Sequence, residues 1–315
     1  MKKLPVLERA LKPWMPSKMS DAGFMQALDR VNFLVSQKLD TLLAVPDGPE
    51  SWLFEAMRYS ALSGGKGFRS LLCHASAAIF DVDEHRAARV AAAIECIHCY
   101  SLIHDDLPSM DDDDMRRNKP SLHIAYDEAT AILAGDALQA LAYEILADEA
   151  THASPDVRLE LVAQLAKATG MHGMVGGQMI DMLSPNLELD AGGLTRLQKM
   201  KTGALIGFAV EAGANLGNAS AEQRQALLGY SHDVGLAFQI ADDVLDVRGS
   251  SNDMGKTIGK DAQQNKTTFA SLLGVGRAHD QASLLIEQAV AHLDIFDDRA
   301  DVLRQAAAFV IHRDS

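Results

Sequence analysis

The chain has 315 residues, of which 48% are apolar and 23% charged, with 29 lysines and arginines against 43 aspartates and glutamates. This is globular composition with ample material for a core. The formal net charge of −14 argues against a nucleic-acid partner, because no basic stripe exists to neutralise phosphates. Handling an anion therefore needs local devices, either metal ions or a few placed cations. Aromatics make up only 5% of the residues, while alanine, leucine and methionine abound, which favours helix over sheet.

The opening stretch, MKKLPVLERALKPWMPSKMS, carries two early lysines but no apolar core of seven or more residues, so no secretory signal is expected. Residues 1–20 are expected to form a weakly ordered extension and residues 21–315 a single helical domain. No run of eighteen apolar residues predicts a membrane span. Three cysteines, Cys73, Cys96 and Cys99, form an odd, sparse set that suits a reducing cytoplasm. Cys96 and Cys99 make a CxxC inside a helical run with no second pair, which reads as two small helical residues and not as a metal knuckle.

Helical periodicity dominates the middle of the chain. Val90, Ile94, Ile97 and Ser101 fall on one face of a run ending near His104. Leu138, Leu141, Ala142, Ile145 and Leu146 make a second stripe, and Leu227–Val247 a third. Breakers separate such runs: VPDGP near Val45, SGGKG at Ser63, LPSM at Leu107, SPN at Ser184 and RGSSND after Arg248. No stretch alternates with period two for long enough to predict a sheet. The reading is all-α, one domain of about ten helices arranged as a bundle.

Two acidic clusters stand out. DDLPSMDDDDMRR, Asp105 to Arg117, packs six aspartates into ten positions. The residue before Pro108 avoids helical angles, so the preceding helix should stop near Asp106. That places Asp105 and Asp106 on a last turn, where the macrodipole disfavours negative charge, and lets Asp111 return from the loop. The second cluster is FQIADDVLD, Phe238 to Asp246, whose Asp242, Asp243 and Asp246 share one helical side. Both arrangements are repulsive unless cations sit between them, and hard divalent ions with oxygen ligands fit. Each cluster ends an apolar helix, so two helices facing across a bundle would aim both clusters at one cavity mouth. A calcium EF-hand is excluded, because the aspartate run has no central glycine and no glutamate at the twelfth position.

The placed cations are also present. SGGKGFR offers glycines that let backbone N–H groups approach an oxyanion, followed by Lys66 and Arg69. Arg116 and Arg117 follow the acidic run, and Lys201–Thr202 and Lys256–Thr257 pair a cation with a hydroxyl. This inventory suits a ligand with two or more phosphates.

GGKxxR, CIHxYSLIHDDLPxMDDDDxRR, AILAGDALQ, GMVGGQxxD, KTGAL and FQIxDDxLD occur in that order between about Arg58 and Thr268. In this the chain resembles the trans-isoprenyl diphosphate synthases of the bacterial farnesyl diphosphate synthase type. The resemblance implies a helical bundle with a central cavity. It implies condensation of isopentenyl diphosphate with dimethylallyl and then geranyl diphosphate to give farnesyl diphosphate, in a cytoplasmic homodimer. Asp105, Asp106, Asp111, Asp242, Asp243 and Asp246 match its ligands for a cluster of three magnesium ions, for which manganese can substitute. Asp105, Asp111, Asp242 and Lys201 are implied as catalytic. Arg116, Lys201, Thr202, Gln239 and Lys256 match the allylic diphosphate site, and Gly65, Lys66, Arg69, His98 and Arg117 the isopentenyl diphosphate site. His98, seven positions before Asp105, shares that carboxylate's face. Tyr100 and Ser101 lie about one turn deeper than Asp105, and in the family an aromatic there marks farnesyl-length synthases.

Departures from the family pattern are few. The usual GGKRxRP reads GGKGFRS here, with Gly67 for a common arginine and Ser70 for a common proline. Losing one charge-assisted bond of about 1.5–3 kcal/mol would weaken isopentenyl diphosphate binding, so Gly67→Arg is expected to lower that substrate's KM. Asn118 replaces a frequent glycine, a mild change for a residue that tolerates left-handed angles. Geranyl or geranylgeranyl diphosphate synthesis, a class I terpene cyclase and a non-catalytic subunit are the alternatives. The paired aspartate clusters and Lys66/Arg69 argue against the cyclase.

Overall fold

The structure, a computed structural model, describes residues 21–248 and 267–312. Its helices are α1 (Asp21–Leu42), α2 (Ser51–Ala61), α3 (Phe68–Ala78), α4 (Glu84–Asp105), α5 (Leu122–Ala125), α6 (Glu128–Ala147), α7 (Pro155–Thr169) and α8 (Met174–Leu183). They continue with α9 (Ala191–Gln198), α10 (Ala204–Leu216), α11 (Ala221–Arg248), α12 (Phe269–Leu273), α13 (Val275–His292) and α14 (Asp301–His312). Among the described residues the only extended pairing is a hairpin of β1 (Met115–Arg116) and β2 (Lys119–Pro120). The all-α expectation holds.

Helix α4 is the axis of the bundle. Its expected stripe of Val90, Ile94 and Ile97 is buried, and so are Ala87, Ala88, Ala91, Ala92 and Ala93 on its other sides. Small side chains all round let α1, α2, α3, α6 and α10 pack against one helix at once. Asp83 starts α4 by accepting hydrogen bonds from the backbone N–H groups of His85 and Arg86. Cys73, Cys96 and Cys99 are free thiols buried in this core. Helix α6 is long and apolar enough by composition to cross a membrane. Here it buries Leu138, Ala142, Ile145 and Leu146 along α4.

Helix α11 runs beyond α10, its buried face formed by Leu227, Tyr230, Val234, Ala237, Ile240 and Val244. The buried Tyr230 hydroxyl donates to the Leu303 carbonyl at 2.7 Å, which ties α11 to α14. Helix α10, buried along most of its length, separates α4 from α11 and packs on both. Each of these two long helices carries an aspartate cluster at its C-terminal end.

Two turns decide how the binding loops are presented. Arg117 and Asn118, with φ of 51° and 60°, form the two-residue turn of the β1–β2 hairpin. Both central residues of a type I′ turn need such angles, which asparagine accepts readily, as expected at position 118. The other turn bears on the expectation for Gly67. Gly67 begins α3 at φ 62°, and a β-carbon there would lie 1.7 Å from Asn32 Oδ1 of α1. An arginine at this position would meet a left-handed backbone and an occupied site, so adding the charge does not restore the family's geometry. Gly67→Arg is accordingly expected to lower the thermal midpoint of the protein, through a left-handed penalty of roughly 1–2 kcal/mol and displacement of Asn32. The same change in an Asn32→Ala background should recover part of the loss; an unchanged midpoint in calorimetry would refute this account.

Candidate active site

The first cluster folds as Pro108 dictates. Helix α4 ends at Asp105, Asp106 caps it, and the chain turns so that the Asp111 N–H donates to the Asp105 carbonyl at 2.8 Å. The Asp113 N–H donates to the Asp106 carbonyl at 3.1 Å and fixes the same turn. Asp105 and Asp111 are thereby brought to one helix end, half-buried.

The two members of the Asp105–Asp106 pair differ in burial and in partners. Asp106 is 2% exposed, and its carboxylate accepts from Arg116 Nε at 2.9 and 3.1 Å, with a further contact from the guanidinium's Nη2. Arg116 also reaches Asp113 at 3.4 Å. A buried carboxylate must be met by donors, and here the hairpin strand supplies them. The second cluster divides in the same manner. Asp242 and Asp246 are half-buried, whereas Asp243 is 4% exposed. Asp243 accepts from Gln239 Nε2 at 3.2 Å and from the Phe269 N–H, at the start of α12, at 2.8 Å. Asp106 and Asp243, both expected among the metal ligands, have carboxylate oxygens engaged by protein donors.

Between the clusters lies a turn that sequence periodicity did not anticipate. Lys199–Gly203 forms one turn of π-helix joining α9 to α10. The extra residue in such a turn re-aims side chains, and these turns recur at functional sites. It presents Lys201, whose Nζ donates to Asp181 of α8 at 2.7 Å and whose charge acts on Asp105. The next residue, Thr202, donates to Gln239 Oε1 of α11 at 3.1 Å. Hydrogen bonds therefore tie Lys201 to Asp181 and run from the adjacent Thr202 through Gln239 to Asp243. Helix α8 reaches the turn because residue 177 is glycine: a β-carbon there would lie 2.3 Å from the Lys201 backbone nitrogen.

The residues expected at the isopentenyl diphosphate site lie on the GGKGFR loop, on α4 and in the hairpin turn. The Arg117 guanidinium donates to the Gly64 carbonyl and pairs with Glu95 of α4 at 3.5 Å. It passes so close to Gly65 that a β-carbon would lie 2.8 Å from its Nη2. Lys66 is exposed, and Arg69 and His98 are half-buried. The Phe68 ring, beside Arg69, stacks on Phe238 of α11 with centroids 5.3 Å apart, linking the GGKGFR loop to the second cluster. Tyr100 is 6% exposed and meets the His104 ring edge to face at 5.6 Å. Burial pushes its hydroxyl up to about 12. Ser101 donates to the His98 carbonyl at 2.9 Å. Lys256 lies outside the described residues.

Asp181 and Glu95 are the residues that sequence reasoning missed. Each was legible as a lone carboxylate in an otherwise apolar helical run, MVGGQMIDML and RVAAAIECIH, where burial demands a cationic partner.

Among the described residues, no three His, Cys, Asp or Glu side chains converge into a ready-made metal cage. The donors present nevertheless fit magnesium, which takes one or two carboxylates and completes its octahedron with water and substrate phosphate. Burial pushes the Asp105 carboxyl up to about 6, Asp111 and Asp106 push the same way, and Lys201 and Arg116 oppose them. A carboxylate held in this way is stabilised by a cation at its side.

An all-helical bundle that sets two carboxylate clusters and interleaved cations at the ends of two long helices defines an isoprenoid-synthase-type protein. Comparison with known proteins agrees. The family model described as polyprenyl synthetase matches residues 50–307, and the chain belongs to that family. The farnesyl diphosphate synthase of Escherichia coli K12 is 40% identical over 295 residues, covering 92% of this chain and 99% of that one. The geranylgeranyl diphosphate synthase of Cyanophora paradoxa is 41% identical over 278 residues, covering 88% and 93% respectively. The crystal structure of an FPP/GFPP synthase from Zymomonas mobilis aligns with a TM-score of 0.85 at 47% identity, over 92% of this chain and 99% of that one.

The raised carboxyl of Asp105 sets a pH test. Because the folded protein binds this proton more tightly than the unfolded chain does, the group's contribution to stability is complete below pH 4 and lost as pH rises through 6. In metal-free buffer, Asp105→Asn should therefore melt above the wild type at pH 8, with the gap closing towards pH 4. Adding magnesium at pH 8 should narrow the gap by stabilising only the wild type. A gap independent of pH would show that burial does not perturb Asp105.

Proposed function

We infer that the protein is a prenyltransferase that condenses isopentenyl diphosphate with dimethylallyl and then geranyl diphosphate, releasing farnesyl diphosphate and pyrophosphate. The observation that carries this reading is the π-turn, whose Lys201 is held by Asp181 and acts electrostatically on Asp105, and whose Thr202 donates to Gln239 beside the second cluster. It places a cation and a hydroxyl between two carboxylate banks, an arrangement suited to gripping one diphosphate from both sides.

In this proposal Asp105 and Asp111 from the first bank, with Asp242 and Asp246 from the second, hold the metal. Asp106 and Asp243 orient the groups around them. Magnesium, three ions by family resemblance with manganese able to substitute, supplies Lewis-acid stabilisation of the charge on the departing pyrophosphate. Lys201 and Arg116, with Thr202, Gln239 and Lys256, orient the allylic diphosphate. Gly65, Lys66, Arg69, His98 and Arg117 hold isopentenyl diphosphate so that its double bond faces the allylic carbon. Position 67 adds no charge to this pocket, but its left-handed turn is built in and filled by Asn32. That weakens the case for a non-catalytic subunit.

Buried free cysteines support a reducing cytoplasm as the working compartment. Two apolar strips support a homodimer: Ile132 and Leu133 on α6, and Val175, Met179 and Met182 on α8 are all at least 40% exposed. Sedimentation should give a dimer for the wild type and a lighter species for Leu133→Glu with Met179→Glu. A wild-type monomer would remove the proposed interface.

Tyr100 floors the cavity in this reading, one turn deeper than Asp105, and sets the product at fifteen carbons. Purified protein given magnesium and both five-carbon diphosphates should yield a farnesyl product, resolved by chromatography after dephosphorylation. A cyclic hydrocarbon or no turnover would overturn the assignment. Tyr100→Ala should shift the product to twenty carbons or more, and an unchanged chain length would place the floor elsewhere.

A further inference from the structure

Gln178 presents a polar problem that the proposed ligand set leaves unsolved. Both its amide atoms, Nε2 and Oε1, are buried without a hydrogen-bond partner. An unsatisfied buried donor or acceptor costs about 1–3 kcal/mol, so two in one side chain call for a partner from outside the protein.

The position of Gln178 points to that use. Met174, Gln178 and Asp181 stand four and three residues apart and lie towards one side of α8. Met174 and Asp181 are buried, whereas Val175, Met179 and Met182 are exposed. Asp181 holds Lys201 at 2.7 Å, and the neighbouring Gly177 packs on the Lys201 backbone. Gln178 thus sits one helical turn, about 5 Å, along the wall from the Lys201–Asp181 pair. If Lys201 grips the allylic diphosphate, the first isoprene unit hangs from it by a single C–O bond, within a helical turn's length of Gln178.

We propose that Gln178 is a catalytic residue whose carboxamide touches the first isoprene unit and the diphosphate leaving it. As the C1–O bond breaks, its electron pair leaves with the diphosphate oxygen and positive charge spreads over the allylic carbons. The π-electrons of isopentenyl diphosphate then form the new C–C bond, and a proton passes from that substrate to pyrophosphate. Throughout, the amide exchanges no atom. Its Oε1 faces the growing positive charge and its Nε2–H the growing negative charge. An amide unsatisfied in the resting protein is complementary only to the charge-separated transition state.

The inference rests on the prenyltransferase reading and on Lys201 at the allylic site. Turnover by the wild type tests that reading, and the variants test this one. Gln178→Met keeps the volume and removes the amide, and Gln178→Asn retracts it by one methylene. We expect kcat to fall on the order of 10- to 100-fold in Gln178→Met, and less in Gln178→Asn, with KM for both substrates within about two-fold. The metal-free melting midpoint of Gln178→Met should equal or exceed that of the wild type, because a buried unsatisfied amide has been replaced by an apolar group. Native kcat in Gln178→Met would overturn the proposal. So would a fall in kcat accompanied by a raised KM and a lower melting midpoint, the signature of a structural role. Should Gln178→Met fail to fold, native kcat in Gln178→Asn would overturn it equally.

Discussion

Negative charge held where water cannot fully solvate it is the constraint on which the working end of this molecule depends. Asp105, Asp106, Asp181 and Asp243 are all buried or half-buried near the ends of apolar helices. Left alone, each would carry a desolvation cost that the fold could not absorb four times over. The structure meets the constraint in two ways. Asp106, Asp181 and Asp243 are given protein partners, respectively Arg116, Lys201 and the start of α12. Asp105 is left with a carboxyl pushed up to about 6, available to a cation from outside.

That division gives each aspartate cluster an internal logic. Members turned inward fix the hairpin, the π-turn and α12 in register with the helices that carry the clusters. The other members, Asp105, Asp111, Asp242 and Asp246, keep partial exposure towards the helix ends. The glycine at 177 belongs to the same design, because only direct backbone contact lets α8 bring Asp181 to Lys201. The charge of an isoprenoid diphosphate then enters a frame whose own charges are already arranged, so little reorganisation remains at the moment of bond cleavage.

The loop departures show how resemblance and geometry divide the argument. By pattern alone, Gly67 reads as a missing positive charge. In the fold it is a left-handed turn with Asn32 from α1 in the place of a side chain. The apparent deficit is steric accommodation between Asn32 of α1 and Gly67 at the start of α3, residues distant in the chain. Asn118 shows the converse: its left-handed angle in the hairpin follows from local turn chemistry, and its tolerance was legible from residue type.

Local physics carried much of the fold. Helical periodicity, the break before Pro108, the dearth of alternating segments and the two aspartate clusters were all readable from the chain, because each depends on neighbours within a few residues. Motif order carried the family. Tertiary structure decided which member of each aspartate pair faces the mouth, since Asp105 and Asp106 are alike in sequence and differ only in what packs above them. It also decided that Asp181 and Glu95 join the site and that residues 199–203 form a π-turn. These depend on α8 meeting the π-turn, and on a hairpin meeting α4, contacts between separate segments of the chain that no local pattern encodes. The sequence by itself determined the helices, the stock of charges and the family; the packing of those helices determined where each charge is neutralised.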